Sequence, residues 1–261
     1  MDGGSGSGPR GGYEFATWWL ARAETQLPAD GRWLTPAERD RAGKLRYTKR
    51  RTDFLLGRWT LKLAVARASG WPEDPATLAR IEGRSAPDGA PELYVDGQRD
   101  DRGVSLSDRA GCAVCLVASG PAAVGCDLEL VEPRSAAFVR DYLTGPEIRW
   151  VAAAGPGRDA AANLMWSAKE SALKVLRTGL RRDTRSVEVT PADPVPPGRV
   201  WSRFQVRTAE GSVFEGWWRR TGAFLLTACW AGGGCSPAAL EHASPLETEP
   251  PSHRWLVQPV S

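Results

Sequence analysis

Histidine is nearly absent from this sequence. Only two of the 261 residues are histidines, His242 and His253, and both lie close to the C-terminus. A Ser-His-Asp or Cys-His triad needs a histidine that is held next to the nucleophile by the fold. The composition therefore argues against histidine-based nucleophilic catalysis.

Cysteine is also scarce, and its pattern argues against a disulfide framework. The five cysteines are odd in number in a chain that is not small. Cys112 and Cys115 have the spacing of a metal-binding pair, but no second such pair or histidine pair follows. Because they lie in the apolar run "GCAVCLVA", we expect both to be core residues of a buried strand.

The sequence contains no run of about 18 apolar residues, so no membrane span is predicted. The N-terminal stretch "MDGGSGSGPRGG" is rich in Gly and Ser and has no apolar segment. It is expected to be a flexible tail and not a signal peptide. We therefore expect a cytoplasmic protein.

Charge is balanced overall but unevenly distributed. The net charge is +3, with 42% hydrophobic and 25% charged residues, which is ordinary globular composition. The segment 39–62 alone carries nine Lys/Arg and two acids, a net charge of +7. Such a segment suits a phosphate-bearing ligand or an acidic protein partner, and the alternative is a solvated helix face.

The order of predicted elements is helices then strands, twice over. Thr35 as N-cap, Pro36 and Glu38 form the start signal of the first helix. This order predicts an α+β fold of two comparable halves. The predicted divisions are a tail at 1–12, an N-terminal half at 13–121, a C-terminal half at 122–231 and a tail at 232–261.

Two acidic side chains share one face of a predicted strand. In "VGCDLELVE", a period of two places Gly125, Asp127 and Glu129 together and the apolar residues opposite. Neighbouring carboxylates repel each other unless something compensates, and a hard cation such as Mg²⁺ does so. The alternative is an exposed strand face that happens to carry acids.

The stretch "WSAKESALK" is predicted to lie on a helix. At about 100° per residue, Glu170 and Lys174 share a face with Trp166, while Lys169 points elsewhere. A surface salt bridge at this spacing contributes only about 0.3–0.5 kcal/mol. Taken alone, the pair is adequately explained as such a salt bridge.

The combination of the two motifs resembles the Sfp-type 4′-phosphopantetheinyl transferases. Three weaker matches support the resemblance, namely "FLLGR", "GRSAP" and "SLSD", and together the matches span residues from about 35 to 180. The resemblance implies two similar α+β halves related by a pseudo-twofold axis, with coenzyme A in the cleft between them. It also implies a monomer.

The resemblance implies a specific activity. Such an enzyme transfers the 4′-phosphopantetheine group of coenzyme A to a serine of an acyl or peptidyl carrier protein, and it releases 3′,5′-ADP. Carrier proteins of this kind serve fatty-acid, polyketide and nonribosomal-peptide synthesis. By resemblance, Asp127, Glu129 and Glu170 would bind Mg²⁺, Glu170 would also act as general base, and Lys174 would neutralise charge on the pyrophosphate.

The resemblance also implies a set of coenzyme A contacts. The candidates carry a positive charge or lie in the matching motifs, and they are Arg51, Arg58, Arg84, Ser107, Asp127, Lys169 and Lys174. One position departs from the family: Asp108 stands where "S-L-S" is commonly followed by a histidine. An anion there would repel phosphate, although Arg109 comes next.

Two other functions remain open from the sequence. One is a protein that binds coenzyme A or a carrier protein but catalyses poorly, for which Asp108 is the support. The other is a nucleic-acid-binding protein built on the basic segment 39–62. That reading leaves the strand carboxylates unexplained, because they would repel a phosphate backbone, so we expect no nucleic-acid partner.

Overall fold

The computed structural model describes residues 16–192, 200–232 and 234–251. The predicted N-terminal tail, 1–12, lies outside these described residues. The N-terminal half contains β1 (Thr17–Ala23), α1 (Pro36–Lys44), α2 (Thr48–Ala68), α3 (Pro75–Leu78), β2 (Ile81–Ser85), β3 (Pro91–Val95), β4 (Gln98–Asp100), β5 (Val104–Arg109) and β6 (Cys112–Ala118).

The C-terminal half again has helices and an antiparallel sheet. It contains β7 (Val124–Leu130), α4 (Ala136–Tyr142), α5 (Gly145–Ala153), α6 (Arg158–Val175), β8 (Val187–Pro191), β9 (Ser202–Thr208), β10 (Val213–Thr221), β11 (Phe224–Ala231), β12 (Ala238–Ala239) and α7 (Pro245–Thr248). The α+β prediction is confirmed, and the pseudo-twofold relation stays a prediction.

Two sheets form the centre of the molecule. The first has the strand order β12-β1-β6-β5 and the second has the order β7-β11-β10-β9-β8, while β2, β3 and β4 form a small separate sheet. One buried cluster lies between the two large sheets, and a second fills the space between the first sheet and α2. A third packs α6 against the second sheet. The layers are therefore helix, sheet, sheet and helix.

This layering explains the apolar run that contains the paired cysteines. Strand β6 is buried along its whole length. Cys112 belongs to the cluster between the sheets, and Cys115 belongs to the cluster under α2. A strand covered on both faces needs apolar residues at successive positions. Both cysteines are thus core residues, as expected.

The start of α1 follows the sequence signal. The hydroxyl of Thr35 accepts a hydrogen bond from the backbone N–H of Glu38, and the Glu38 carboxylate accepts one from the backbone N–H of Thr35. Pro36 is the first helical residue. The capping box is therefore confirmed. The Glu38 carboxylate also pairs with Lys62 in the core.

The region predicted as a C-terminal tail is partly folded onto the body, so the expectation of a tail from 232 is wrong for its described part. Strand β12 pairs in parallel with β1, which was itself not predicted. Leu246 in α7 is buried, and Glu241 forms salt bridges with both Arg22 and Arg67. Polar composition concealed these few anchoring residues. None of the helices in the described residues is both long enough and apolar enough to cross a membrane.

Candidate active site

Two serine hydroxyls connect the two large sheets where β5 lies beside β7. The backbone N–H of Cys126 donates to Oγ of Ser105 at 2.9 Å, and that of Leu128 donates to Oγ of Ser107 at 3.1 Å. These hydroxyls satisfy backbone donors that would otherwise need a neighbouring strand. The "SLSD" segment therefore joins the two halves of the chain at the site.

Asp127 lies at this junction and is 6% exposed. Its Oδ1 accepts hydrogen bonds from Oγ of Ser107 at 2.9 Å and from Nζ of Lys174 at 3.0 Å. Its Oδ2 is buried and has no hydrogen-bond partner among the described residues. A buried carboxylate oxygen without a partner is costly, so this atom points to a ligand that supplies positive charge or a donor.

Helix α6 lies directly against β7, and Gly125 marks the closest approach. A Cβ at Gly125 would lie 1.9 Å from the carbonyl oxygen of Ser171 and 3.1 Å from Cβ of Lys174. The strand and helix backbones can therefore meet only because this residue is glycine. This close approach allows the Lys174 ammonium to reach Asp127.

Replacing Gly125 with alanine is expected to push α6 away from β7. We expect the free energy of unfolding to fall by about 1–3 kcal/mol, as for other overpacked cores, measured by urea unfolding. Gly57→Ala in α2 is the matched control, because a Cβ there would meet no atom within 4 Å. Alanine favours a helix by about 0.5–1 kcal/mol over glycine, so the control should gain stability. Equal effects of the two substitutions would contradict the close packing.

Glu170 and Lys174 lie one helical turn apart on α6, but they do not pair with each other. The Lys174 ammonium donates to Asp127 and to the carbonyl oxygen of Cys126 at 2.7 Å. Among the described residues, the Glu170 carboxylate has no hydrogen-bond or salt-bridge partner. Burial and the charges of Asp127 and Glu129 raise the pKa of Glu170 to about 7, although Lys174 opposes this shift. The interpretation as a simple surface salt bridge is therefore wrong.

Glu129, the third predicted metal ligand, is held by protein donors. Its Oε1 accepts from the indole N–H of Trp166 at 2.9 Å, and its Oε2 accepts from Arg134 at 2.9 Å. The guanidinium of Arg109 lies 3.4 Å from the same Oε2. Burial and the charge of Asp127 nevertheless raise the pKa of Glu129. Arg134 was missed by sequence reasoning, because it lies outside both motifs.

The three predicted metal ligands, Asp127, Glu129 and Glu170, differ in how well they suit a divalent cation. Within the described ranges, no three His, Cys, Asp or Glu side chains are grouped closely enough to hold a metal ion. The orphaned Oδ2 of Asp127 and the unpartnered Glu170 suit Mg²⁺, since a cation would offset their mutual repulsion. Glu129 fits less well because both of its oxygens already accept hydrogen bonds.

Lys169 is not available to a ligand in this structure. Its side chain is fully buried, and its ammonium pairs with Glu147 at 2.9 Å and donates to the carbonyl oxygens of Thr184 and Val187. All three ammonium donors are thus used inside the protein. This placement contradicts the prediction that Lys169 contacts coenzyme A. The prediction was wrong because the groups that accept hydrogen bonds from Lys169 belong to elements distant in the sequence.

The predicted arginines are engaged to different degrees. Arg51 donates to the carbonyl oxygen of Leu45, and Arg84 pairs with Glu82 and stacks on Tyr94. Arg58 is mostly buried beside Phe54 and lies 3.7 Å from Glu38. Burial lowers the pKa of Arg58. Of the three, Arg84 is exposed, whereas Arg51 and Arg58 are only partly exposed.

Arg41 was missed by sequence reasoning. It is exposed, and its guanidinium also lies over the Phe54 ring, 5.4 Å from the centroid. Arg41 and Arg58 therefore flank one aromatic ring, which concentrates positive charge next to β2. Helical spacing alone does not bring these residues together, because they lie on the separate helices α1 and α2.

The basic segment 39–62 is not a uniformly charged face. Lys62 is fully buried against Glu38, and Lys49 pairs with Asp53 at 2.7 Å. Asp108, the departure from the family pattern, is exposed on β5. Partial desolvation and the charge of Asp53 raise the pKa of Asp108, while Lys49 opposes the shift. The other basic residues differ in exposure, and six of the nine in the segment are exposed, namely Arg39, Arg41, Lys44, Arg46, Lys49 and Arg50. The absence of a nucleic-acid partner therefore stays a prediction.

A cavity of about 450 Å³ opens beside Lys174. It lies between the hairpin of β2 and β3, the start of β5 and the C-terminal end of α6. Arg177, two residues beyond the end of α6, lines the cavity and pairs with Asp88 of the hairpin at 2.7 Å. Small-molecule sites typically have volumes of about 300–1,000 Å³, so the cavity is large enough for part of a nucleotide-sized ligand.

The fold and the site together define a class of protein. It is an α+β protein in which a strand carboxylate, a helix carboxylate and a lysine meet at the junction of two sheets, as suits a cation and a phosphate-bearing ligand. Residues 123–229 match the family model of the 4′-phosphopantetheinyl transferase superfamily. The resemblance predicted from the motifs is therefore confirmed for this part of the chain at the level of the superfamily, and membership of the Sfp-type subfamily stays a prediction.

Solved structures of two bacterial enzymes are similar to part of the chain. A holo-(acyl-carrier-protein) synthase from Bacillus anthracis str. Ames, in complex with CoA (3′,5′-ADP), has 25% identity and a TM-score of 0.33, over 40% of this chain and 93% of that chain. The holo-[acyl-carrier-protein] synthase of Thermotoga maritima has 20% identity and a TM-score of 0.32, over 49% of this chain and 74% of that chain. No curated protein matches the chain.

Proposed function

We propose that this protein transfers the 4′-phosphopantetheine group of coenzyme A to a serine hydroxyl of an acyl or peptidyl carrier protein. One observation supports the proposal above the others. Within the segment that matches the superfamily, Lys174 pairs with Oδ1 of Asp127 while Oδ2 has no partner among the described residues, and Glu170 lies one helical turn before Lys174. These are the groups that charge-stabilised phosphoryl transfer needs. The carrier belongs to fatty-acid, polyketide or nonribosomal-peptide synthesis.

Asp127 and Glu170 would hold Mg²⁺, and Glu129, whose oxygens already accept hydrogen bonds, would add negative charge beside it. When bound, Mg²⁺ supplies Lewis-acid stabilisation of charge on the pyrophosphate oxygens. The protein contributes by holding the carboxylates of Asp127 and Glu170 near each other without a partner, in the described part of the chain, for Glu170 or for Oδ2 of Asp127. That arrangement is unfavourable on its own, as the raised pKa of Glu170 indicates.

In the proposed reaction, Glu170 takes the proton of the carrier serine, directly or through a water. The serine oxygen forms a bond to the β-phosphorus of coenzyme A. The bond from that phosphorus to the bridging oxygen breaks, and 3′,5′-ADP leaves with the electron pair. Lys174 is protonated, because the Asp127 charge holds its pKa above the ordinary value despite burial, and it neutralises charge on the pyrophosphate.

The 3′-phosphate of coenzyme A needs cations away from the metal. Arg51, Arg84 and the pair formed by Arg41 and Arg58 are the groups proposed for it, since guanidinium binds phosphate through two parallel hydrogen bonds. Ser107 is proposed to contribute through Asp127, to which it donates. Asp108 would weaken binding when ionised.

Asp108 supports one second candidate function. Its exposed carboxylate lies where the family commonly has a histidine, and Asp53 adds further negative charge nearby. A protein with this feature that binds coenzyme A or a carrier without transferring the group would be a regulatory homologue. It would retain Asp127, Glu170 and Lys174 without a use for them.

The transfer reaction is the direct test. The purified protein is mixed with coenzyme A, Mg²⁺ and several apo carrier proteins, and intact-protein mass spectrometry follows the carrier. We expect a mass gain of one phosphopantetheine group, which is lost when EDTA replaces Mg²⁺ and when the acceptor serine is changed to alanine. A folded protein that binds coenzyme A by calorimetry but modifies no carrier would favour the regulatory function instead.

A further inference from the structure

Lys169 precedes Glu170 in the chain, but its ammonium contacts neither the proposed metal ligands nor the proposed phosphate site. Its ammonium has three acceptors from three other elements: Oε2 of Glu147, and the carbonyl oxygens of Thr184 and Val187. Three acceptors around one ammonium fix its position in all directions. Because the side chain is fully buried, no solvent molecule can replace these contacts.

Glu147 is held as firmly as the lysine. Its Oε2 also accepts from the backbone N–H of Thr144 at 2.7 Å, and its Oε1 accepts from that of Val189 at 2.7 Å. The carboxylate thereby ties together the start of α5, the middle of α6 and the edge strand β8. It is 1% exposed as a residue.

We propose that the Lys169–Glu147 ion pair is the positioning device of the site, which sets the rotation of α6 so that Glu170 and Lys174 face β7. Adjacent helical residues point about 100° apart. Fixing Lys169 inward therefore fixes the direction of Glu170. A helix rotated in either direction would leave a buried charge unpaired, so the pair selects one orientation of α6, as buried polar groups do in other folds.

The same construction occurs once more in the described residues, without an adjacent acid. Lys62 on α2 is fully buried and pairs with Oε2 of Glu38 at 2.8 Å, and it donates to the carbonyl oxygens of Leu78 and Ile81. Glu38 again accepts from its N-cap residue and from a strand N–H, that of Gly83. The residue after Lys62, however, is the core residue Leu63.

The Lys62–Glu38 pair is therefore a built-in control for the structural effect. It orients a helix within the core, whereas Lys169–Glu147 orients a helix that carries Glu170. Loss of either pair should cost similar stability. Only loss of the Lys169–Glu147 pair should displace Glu170 from Asp127. Loss of the Lys62–Glu38 pair can shift Arg58, which lies 3.7 Å from Glu38, but not the metal-binding carboxylates.

The experiment compares Lys169→Met/Glu147→Gln with Lys62→Met/Glu38→Gln in the full chain. Both double variants should lower Tm by a similar amount, roughly 5–15 °C. Mn²⁺ binding is followed by electron paramagnetic resonance. The Lys169→Met/Glu147→Gln variant should bind Mn²⁺ about tenfold more weakly or worse, while Lys62→Met/Glu38→Gln should change the affinity less than about twofold. In the transfer reaction, the first should lower kcat about 100-fold with little change in the KM for coenzyme A.

A crystal structure of Lys169→Met/Glu147→Gln shows directly where the Glu170 carboxylate lies. The Glu170 carboxylate should move by more than about 0.5 Å relative to Asp127, which is beyond the tolerance of a preorganised site. An unmoved Glu170, or equal losses of Mn²⁺ binding in both double variants, would overturn the proposal. Should the first variant not fold, Glu147→Gln is compared with Glu38→Gln by the same measurements.

This inference rests on the proposed function for its kinetic arm alone. If the wild-type protein transfers nothing to any carrier, the proposed function fails. The position of Glu170 in the variant crystal still decides whether the ion pair orients it, and Mn²⁺ binding reports on the same geometry without turnover.

Discussion

Glu170→Gln is expected to lower kcat by about 10³-fold while making the metal-free protein more stable. A glutamine cannot accept the serine proton, and its neutral amide is a poor ligand for Mg²⁺. General-base and metal contributions of this kind typically account for factors of 10²–10⁴. The fall in rate is measured with a carrier protein at saturating coenzyme A and Mg²⁺.

The gain in stability follows from the raised pKa of Glu170. Its pKa is about 7 in the folded protein against an ordinary value of 4.5. Between those values the folded state binds more protons than the unfolded state, so the free energy of unfolding falls as pH rises from about 4.5 to 7. Glutamine removes this penalty. The variant should exceed the wild type by roughly 1–2 kcal/mol at pH 8 without metal, allowing for its partial exposure, and by little at pH 5.

The opposite directions of the two effects make the result hard to explain by misfolding. Glu210→Gln is a suitable control, because the Glu210 side chain is 65% exposed and pairs only at the surface with Arg182. It should leave the rate unchanged and leave in place the fall of stability between about pH 4.5 and 7, because the contact with Arg182 lowers the pKa of Glu210 and does not raise it. A normal rate for Glu170→Gln would show that Glu170 is a surface residue without a catalytic role.

The local elements of the site could be predicted from the sequence. Period-two alternation placed Asp127 on a strand, and helical spacing placed Glu170 and Lys174 on one face of α6. Both signals are short-range, because side-chain direction within an element depends only on backbone geometry. The superfamily resemblance then supplied the information that the two elements meet.

The partners of each charge could not be predicted in the same way. Lys169 was expected near coenzyme A, but its acceptors come from α5, from the segment before β8 and from β8 itself, which only the tertiary structure brings together. Glu129 was expected to bind the metal, yet Arg134 and Trp166 occupy its oxygens. Helical spacing shows that Lys169 and Glu170 diverge, but not which of the two points into the core.

The folded C-terminal segment was missed for a related reason. Its composition is typical of a tail, and the residues that hold it are few. Leu246 is buried beneath Gly222, and Glu241 bridges two arginines of the N-terminal half. The composition of a sequence segment averages these few anchoring residues with the polar residues around them. Their contribution to stability depends instead on how deeply each one is buried.

Asp127→Asn is expected to lower kcat/KM by about 10²–10³-fold and to shift the titration of Glu170. The amide keeps an oxygen for Ser107 and Lys174 but places an N–H group at the buried Oδ2 position, where a cation cannot bind. Loss of the Asp127 charge also removes one cause of the raised pKa of Glu170. The fall of stability with rising pH should therefore move to lower pH, which urea unfolding at a series of pH values measures.

Asp74→Asn provides the matched control for this last substitution. Asp74 caps α3 through hydrogen bonds from the N–H groups of Ala76 and Thr77, and asparagine caps helices about as well as aspartate. It should leave both the rate and the titration of Glu170 unchanged. If Asp127→Asn also kept its rate within about twofold, Asp127 would serve only to hold Lys174, and the orphaned Oδ2 would not mark a cation site. A large loss of rate would instead support a cation site at Oδ2, and the shifted titration would show that the Asp127 charge acts directly on Glu170.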